Sequence, residues 1–440
     1  MENVKCKIKN KAFMMIVSFT MFSFSLLYGA VTPFSLPFSN SYLQRSSGVE
    51  ALYWNPARIH NIPTQRELMF LSPVGRMENN TISVDIWNKG QEAQGQFTVP
   101  AKNQMMRNMN DEFYLRGNVR AIIAGFVNNQ WAFTTATNVN AHGNFDKRFL
   151  ELLMFGIERY CEDEGRIFRH DNNNFGVVAY QDFSIGYGGF QINSTFLEDI
   201  PPIYFGASMS FLLGLANIES VNFNGHFTST QDTLVLHQKV LYRSATLGSG
   251  FKLSFGLSSD IVKVDENHKL SVGFGFDNIF GNIAWDSGTE AREIVVEGHI
   301  KDLHEATKPS NQNVDWFIDE DETIAIGSYA TTLPFIFRFG SLYTYNDFSA
   351  SLDFAKNFGD NNAYNYDPQI TMGFEYVVES WLPIQFGFRL PIGETVSAFS
   401  YGIGFRGHRF EYQIGYQSFG ALFGNGTRGA AMSSSMRFRF

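Results

Sequence analysis

Apolar and polar residues alternate with a period of two over most of this chain. Phe251, Leu253, Phe255 and Leu257 interleave with Lys252, Ser254, Gly256 and Ser258. After a polar turn at 265–268, Leu270, Val272, Phe274 and Phe276 interleave with Ser271, Gly273, Gly275 and Asp277. Successive side chains of a strand point to opposite faces, so each run predicts a strand and the pair predicts a hairpin. The pattern returns at Phe335, Phe337 and Phe339 around Ile336 and Arg338, and at Phe348, Ala350, Leu352 and Phe354 around Ser349, Ser351 and Asp353. It recurs at Ile370, Met372, Phe374 and Tyr376, then at Ile384, Phe386, Phe388 and Leu390, again with ionisable residues on the small-residue face. A wall with hydrocarbon on one side and a lumen on the other needs this switch at every residue. A soluble sandwich alternates too, so the number of strands and an export signal must separate the two folds.

Residues 200–218 carry no charge and reach helical membrane-span length. Their fine pattern predicts a strand: Phe205, Ala207, Met209, Phe211, Leu213 and Leu215 share one parity, and Tyr204, Gly206, Ser208 and Ser210 the other. Residues 128–130 predict a turn between strands at 120–127 and 131–136. Two stretches depart from this period. Phe149, Leu150, Leu153, Met154 and Ile157 recur at helical spacing, predicting a short amphipathic helix within 145–160. Residues 287–329, with Asp315, Asp319, Glu320, Asp321 and Glu322, predict a long acidic external loop.

The N-terminus supplies the export signal. Lys5, Lys7, Lys9 and Lys11 precede an uncharged apolar stretch from Ala12 to Leu27, then Tyr28, Gly29 and Ala30, the layout of a signal peptide cleaved near Ala30. Its loss removes four lysines and Glu2, taking the formal charge from −9 to −12, which excludes general nucleic-acid binding. Cys161 is then the one remaining cysteine, so no intrachain disulfide holds the product and closure of a sheet must do so. The 45 phenylalanines and 39 glycines with only 18% charged residues suit a surface facing something other than water. These readings define an all-β fold, a transmembrane antiparallel β-barrel of about 14 strands in the cell outer membrane. Its parts are a signal peptide at 1–30, an N-terminal segment at 31–65 and the barrel at 66–440.

The passage Ser46 to Arg58, with Asn55, Pro56 and Ala57 at its end, resembles the N-terminal segment of FadL-type transporters and of PorV-type secretion proteins. Residues 180–190 and 206–217 look like successive strands of the FadL/PorV-like (PorV/PorQ-type) superfamily, closest to an uncharacterised family within it, and residues 401–416 resemble a closing hairpin of PorV-type chains. The resemblance implies that the segment folds into the lumen as a hatch. Independently of it, Pro56 fixes its own φ and holds Asn55 extended, so the motif reads as a turn. The chain ends with Met432, Met436, Phe438 and Phe440 on one parity. A terminal aromatic strand resembles the signal by which barrels are handed to their assembly machinery, and Met436, Phe438 and Phe440 are its candidates here.

Enzyme signatures fail on inspection. His304-Glu305 lacks a second histidine because Lys308 stands there; Gly402, Gly404 and Gly407 run on into a strand rather than a helix; no Gly-x-Ser-x-Gly turn occurs. The acidic run at 319–322 lacks the glycine of a calcium loop. No catalytic residue, metal or cofactor is therefore expected. The resemblance implies passage of small hydrophobic molecules, with outer-membrane lipid and a hydrophobic ligand as partners. Its alternative is a PorV-like role in protein secretion or surface attachment, by contact through the acidic insert and the loop helix.

Overall fold

A computed structural model describes residues 32–91, 98–155, 167–170, 173–192, 201–229, 234–259, 262–263, 267–300, 317–358, 368–393 and 395–440. The expected signal peptide, Cys161 and residues 301–316 of the acidic insert lie outside them. The strands are β1 (Arg66–Asn79), β2 (Glu112–Asn128), β3 (Trp131–Asp146), β4 (Ile167–His170), β5 (Asn174–Ile192), β6 (Ile203–Ser229), β7 (Leu234–Ser259), β8 (Val262–Lys263) and β9 (His268–Trp285). They continue as β10 (Glu290–Ile300), β11 (Phe317–Ala325), β12 (Tyr329–Thr332), β13 (Phe335–Tyr345), β14 (Phe348–Phe358), β15 (Gln369–Glu379), β16 (Leu382–Leu390), β17 (Ala398–Arg406), β18 (Phe410–Phe419) and β19 (Gly429–Arg439). All belong to one antiparallel sheet, which closes where β1 pairs with both β2 and β19 (Glu67 opposite Val127 and Arg439). Around the circumference stand 14 strands, with β12 and β13 end to end in one position and β4, β8, β10 and β11 as additions.

The period-two pattern sorts as expected. Phe211, Phe251, Phe274, Phe386, Ile414 and Met432 face outwards and are exposed, whereas Ser210, Lys252, Ser271, Arg389, Gln413 and Ser433 are buried inside. An apolar outer band around a polar interior is the surface a barrel presents to hydrocarbon. β2 and β3 meet at Asn129–Gln130, β13 and β14 at Asn346–Asp347, so one end carries tight turns. Long segments gather at the other.

α1 is the four-residue helix Ala51–Trp54, inside the barrel and nearer the tight turns, with Leu52 against Gly186 and the Trp54 carbonyl against Gly275. At the second end, outside the barrel, α2 (Val84–Gln91), α3 (Val99–Asn108) and α4 (Lys147–Phe155) share a core of Ile86, Met105, Met106, Met109, Leu150 and Met154. α4 lies within the predicted helical stretch, whose last residues, 156–160, are outside the described ones. Opposite expectation, the acidic stretch is not simply a loop. β6 and β7 are 27 and 26 residues long, far beyond the roughly 9–11 a membrane strand needs, and their outer halves offer a free sheet edge. β10 pairs there, Glu290 opposite Ser244 through Ile300 opposite Leu234, and β11 pairs with β10. The run Ile294–Val296 and the cross-strand pair Lys239–Glu293 suit a strand once that partner is present.

The filled lumen and the gap in the wall

Residues 32–62 fill the barrel from within. Their turns follow from local chemistry: Asn55 is extended (φ −152°) ahead of Pro56, its Oδ1 accepts from the Ala57 N–H at 3.2 Å, and its Nδ2 donates to the Leu257 carbonyl of β7 at 3.0 Å. The Asn-Pro-Ala motif thus caps a one-turn 3-10 helix, Pro56–Arg58, and ties it to the wall. Leu43, Val49, Leu52, Tyr53, Trp54 and Ile59 are fully or almost fully buried.

The wall makes room for this segment by omitting side chains. A Cβ on Gly206 would sit 2.3 Å from Pro56 C, one on Gly256 1.9 Å from Asn55 Oδ1, and one on Gly387 2.3 Å from Phe38 C. Gly402 and Gly415 face Pro37, and Gly125 faces Val49, in the same way. The inward glycines of the alternating strands are therefore a cradle, in which backbone meets backbone at distances no side chain permits.

Charges bolt the cradle shut. Val49 N–H donates to Glu67 Oε1 at 3.2 Å, and Leu43 N–H to Asp353 Oδ2 at 2.7 Å. Arg439 reaches Glu67 at 3.4 Å across the closing seam, and Arg437 and Arg439 reach Glu411 of β18 at 2.8 and 2.9 Å. Around the lumen Lys252 pairs with Asp182 at 3.2 Å, Arg338 with Asp277 at 3.7 Å, and Arg389 with Glu78 at 2.6 Å. The Arg120 and Arg338 guanidiniums lie 4.6 Å and 5.1 Å from the Tyr53 and Trp54 ring centroids, a cation–π seat for the segment. Glu50, within the segment, accepts from the Phe34 N–H at 3.1 Å but forms no ion pair among the described residues, and burial pushes its carboxyl up to about 7.

One part of the wall is broken. In β9 Asn278 and Phe280 have φ of 57° and 55°, conformations costly for a side chain, and the register with β7 slips between Phe251 and Phe255. On the other side β12 stops at Thr332 and β13 resumes at Phe335. Between them Pro334 has no N–H to give the ladder, and Leu333 N–H to Gly281 O (2.9 Å) and Asn278 Nδ2 to Pro334 O (3.0 Å) bridge the strands. A cavity of about 830 Å³ opens here, lined by outward Phe251, Phe280, Phe335 and Phe358 and by inward His142, Glu219 and Arg243. It abuts a small lumenal cavity of about 80 Å³ above Trp54, with Asn278, Leu333 and Pro334 lining both. Tyr180, Leu212, Trp285 and Leu333 form an apolar patch between the two.

Asn55, Pro56 and Ala57 thus lie together against β5, β6 and β7. Met436 and Phe438 sit on the outer parity of β19, Phe438 with its ring 5.0 Å from that of Phe410, and Phe440 is exposed at the rim. The gap was not among the sequence expectations; the run Asn278-Ile279-Phe280-Gly281 and the Leu333-Pro334 step were its available signals. Among the described residues no group of three or more potential metal ligands is assembled.

Solved structures of similar outline include the toluene transporter TbuX of Ralstonia pickettii (TM-score 0.47, 13% identity, covering 95% of this chain and 100% of that one). The P. putida toluene transporter TodX gives 0.45 and 11%, covering 94% and 97%. A Pseudomonas aeruginosa FadL homologue gives 0.42 and 10%, covering 94% and 100%. No curated protein matches the chain. Residues 67–409 match the profile of a family of unknown function, DUF5723, and the chain belongs to that family.

Proposed function

We propose that this barrel is an outer-membrane channel through which small hydrophobic molecules pass, entering sideways through the gap between β9 and the β12–β13 break. The carrying observation is that break: one cavity touches lipid-side phenylalanines and inward polar residues at once, and it abuts the lumen above the plug. A hydrocarbon in the bilayer would reach the lumen without crossing water, moving along the patch of Tyr180, Leu212 and Leu333. Residues 32–62 act as the hatch, and displacement of the Asn55–Ala57 turn from β5–β7 completes the path. The leader is cleaved near Ala30 on export, and Met436, Phe438 and Phe440 present the last strand to the assembly machinery. The protein-contact alternative has no comparable observation behind it.

Gly281→Trp tests this reading, since a Cβ there already lies 3.1 Å from Leu333 Cβ and an indole would fill the gap. Uptake of a radiolabelled hydrocarbon by cells should fall at least about ten-fold, a loss of roughly 1.4 kcal/mol of flux-determining free energy. Membrane fractionation and heat-modifiable gel mobility should stay as in the wild type. Undiminished uptake by a correctly inserted variant would remove the side entrance.

A further inference from the structure

The two abutting cavities differ in chemistry, and that difference specifies a ligand. The lumenal one is walled by Arg120, Lys252, Asp277, Arg338 and Asp353, all at most 6% exposed. Three of these side chains keep a polar atom without a hydrogen-bond partner: Arg120 Nη1, Arg338 Nη1 and Asp353 Oδ1. Buried donors and acceptors are normally satisfied, and a buried charge most of all. A plain hydrocarbon satisfies none of them. A carboxylate or phosphate alone would answer the two guanidiniums but bring like charge to Asp353 and Asp277; an ammonium alone would do the reverse. A head group carrying both signs answers all three. The neighbouring wall cavity offers Phe251, Phe280, Phe335 and Phe358 instead, the environment of a hydrocarbon chain.

We propose that the channel's ligand is a single-chain zwitterionic amphiphile of the lysophospholipid type, with its head among Arg120, Arg338 and Asp353 and its chain in the wall gap. This names the substrate class of the side entrance and rests on that reading. The same residues hold the hatch: Asp353 Oδ2 accepts from Leu43 N–H, and the Arg338 guanidinium lies over Trp54. A head group that draws Arg338 and Asp353 to itself therefore weakens two hatch contacts, which links binding to opening.

The test is a titration of the full-length protein in maltoside detergent, read by the fluorescence of Trp54 as the difference from Trp54→Phe. The probes are a dodecyl lysophosphatidylcholine, dodecanoate, dodecyltrimethylammonium and glycerophosphocholine. The lysophospholipid should bind at least about ten-fold tighter than each of the other three. Arg338→Gln and Asp353→Asn should each weaken it several-fold, and Asp353→Asn should bring dodecanoate closer to it. Equal binding of the three chain-bearing probes, or tighter binding of either singly charged one, would overturn the proposal, and binding of glycerophosphocholine as tight as the lysophospholipid would mean a free solute site without a chain. Those comparisons use the unaltered protein, so a variant that folds poorly does not decide them. Hydrocarbon uptake blocked by Gly281→Trp beside a failed titration would leave the side entrance standing and this ligand wrong; unblocked uptake would remove the entrance itself.

Discussion

Two arcs of the same barrel wall meet the lumen in opposite ways. Along β15–β18 the ladder runs in register past the glycines, its β15–β16 shift (Val377/Glu379) falling at the turn, and Gly373, Gly387, Gly402 and Gly415 let residues 37–39 lie on the bare backbone. Between β9 and β13 the ladder is interrupted by left-handed residues and a proline, and large side chains stand back from an opening. Both arcs alternate polar and apolar residues, so the alternation makes the wall while glycine and proline decide what the wall does. One arc is shaped to hold something fixed, the other to leave a way through.

The contrast breaks most sharply at the cradle. In Gly387→Val the new Cβ would start 2.3 Å from Phe38 C, with backbone rather than a flexible side chain in the way. Overpacking of this kind costs about 1–3 kcal/mol or more, and here the segment 32–62 can yield where the closed wall cannot. Planar-bilayer recordings should show a rise in ion conductance over the wild type, and added protease should cut the released segment.

A comparable effect, with a defined pH window, comes from Glu50. Burial raises its carboxyl from about 4.5 to about 7, so the seated hatch favours the protonated form. The stabilisation is complete below about pH 4.5 and is lost as pH rises through about 7, amounting to roughly 3 kcal/mol at 1.36 kcal/mol per pH unit. Trp54 fluorescence or protease protection followed from pH 4 to 8 should therefore report looser seating at the alkaline end. Glu50→Gln should flatten the curve, and an unflattened one would assign the titration elsewhere.

The smallest effect sharpens the contrast rather than breaking it. Pro56→Gly leaves the cradle contacts but frees the chain at the turn, worth about 0.4–1 kcal/mol through the unseated state. Hydrocarbon uptake should change while heat-modifiable mobility does not; a shift in mobility would mean that the turn supports the barrel as well.

The two arcs also differ in how far the chain itself betrays them. Phe251–Leu257 and Leu270–Phe276 announce strands because a lipid-facing wall leaves no choice at each position. Gly256, Gly387 and Gly402 are visible as small inner residues, but that they abut Asn55, Phe38 and Pro37 depends on contacts between segments hundreds of residues apart. The ion pair Arg389–Glu78, 311 positions apart, stays hidden for the same reason. At Asn278–Gly281 the sequence shows only that the alternation breaks, because φ has no period to read. β10 and β11 are masked by their acids, since only the overlong β7 makes a partner for them. The Asn-Pro-Ala turn was legible because its geometry is local.

The Val49 N–H is held by Glu67, and Glu67 is held by Arg439 at the opposite end of the polypeptide. Ser47 likewise receives a bond from Arg437, 390 positions later. The bonds that hold Val49 and Ser47 in the lumen are complete only when the last strand is paired with the first, so the seating of the N-terminal segment is coupled to closure of the ring.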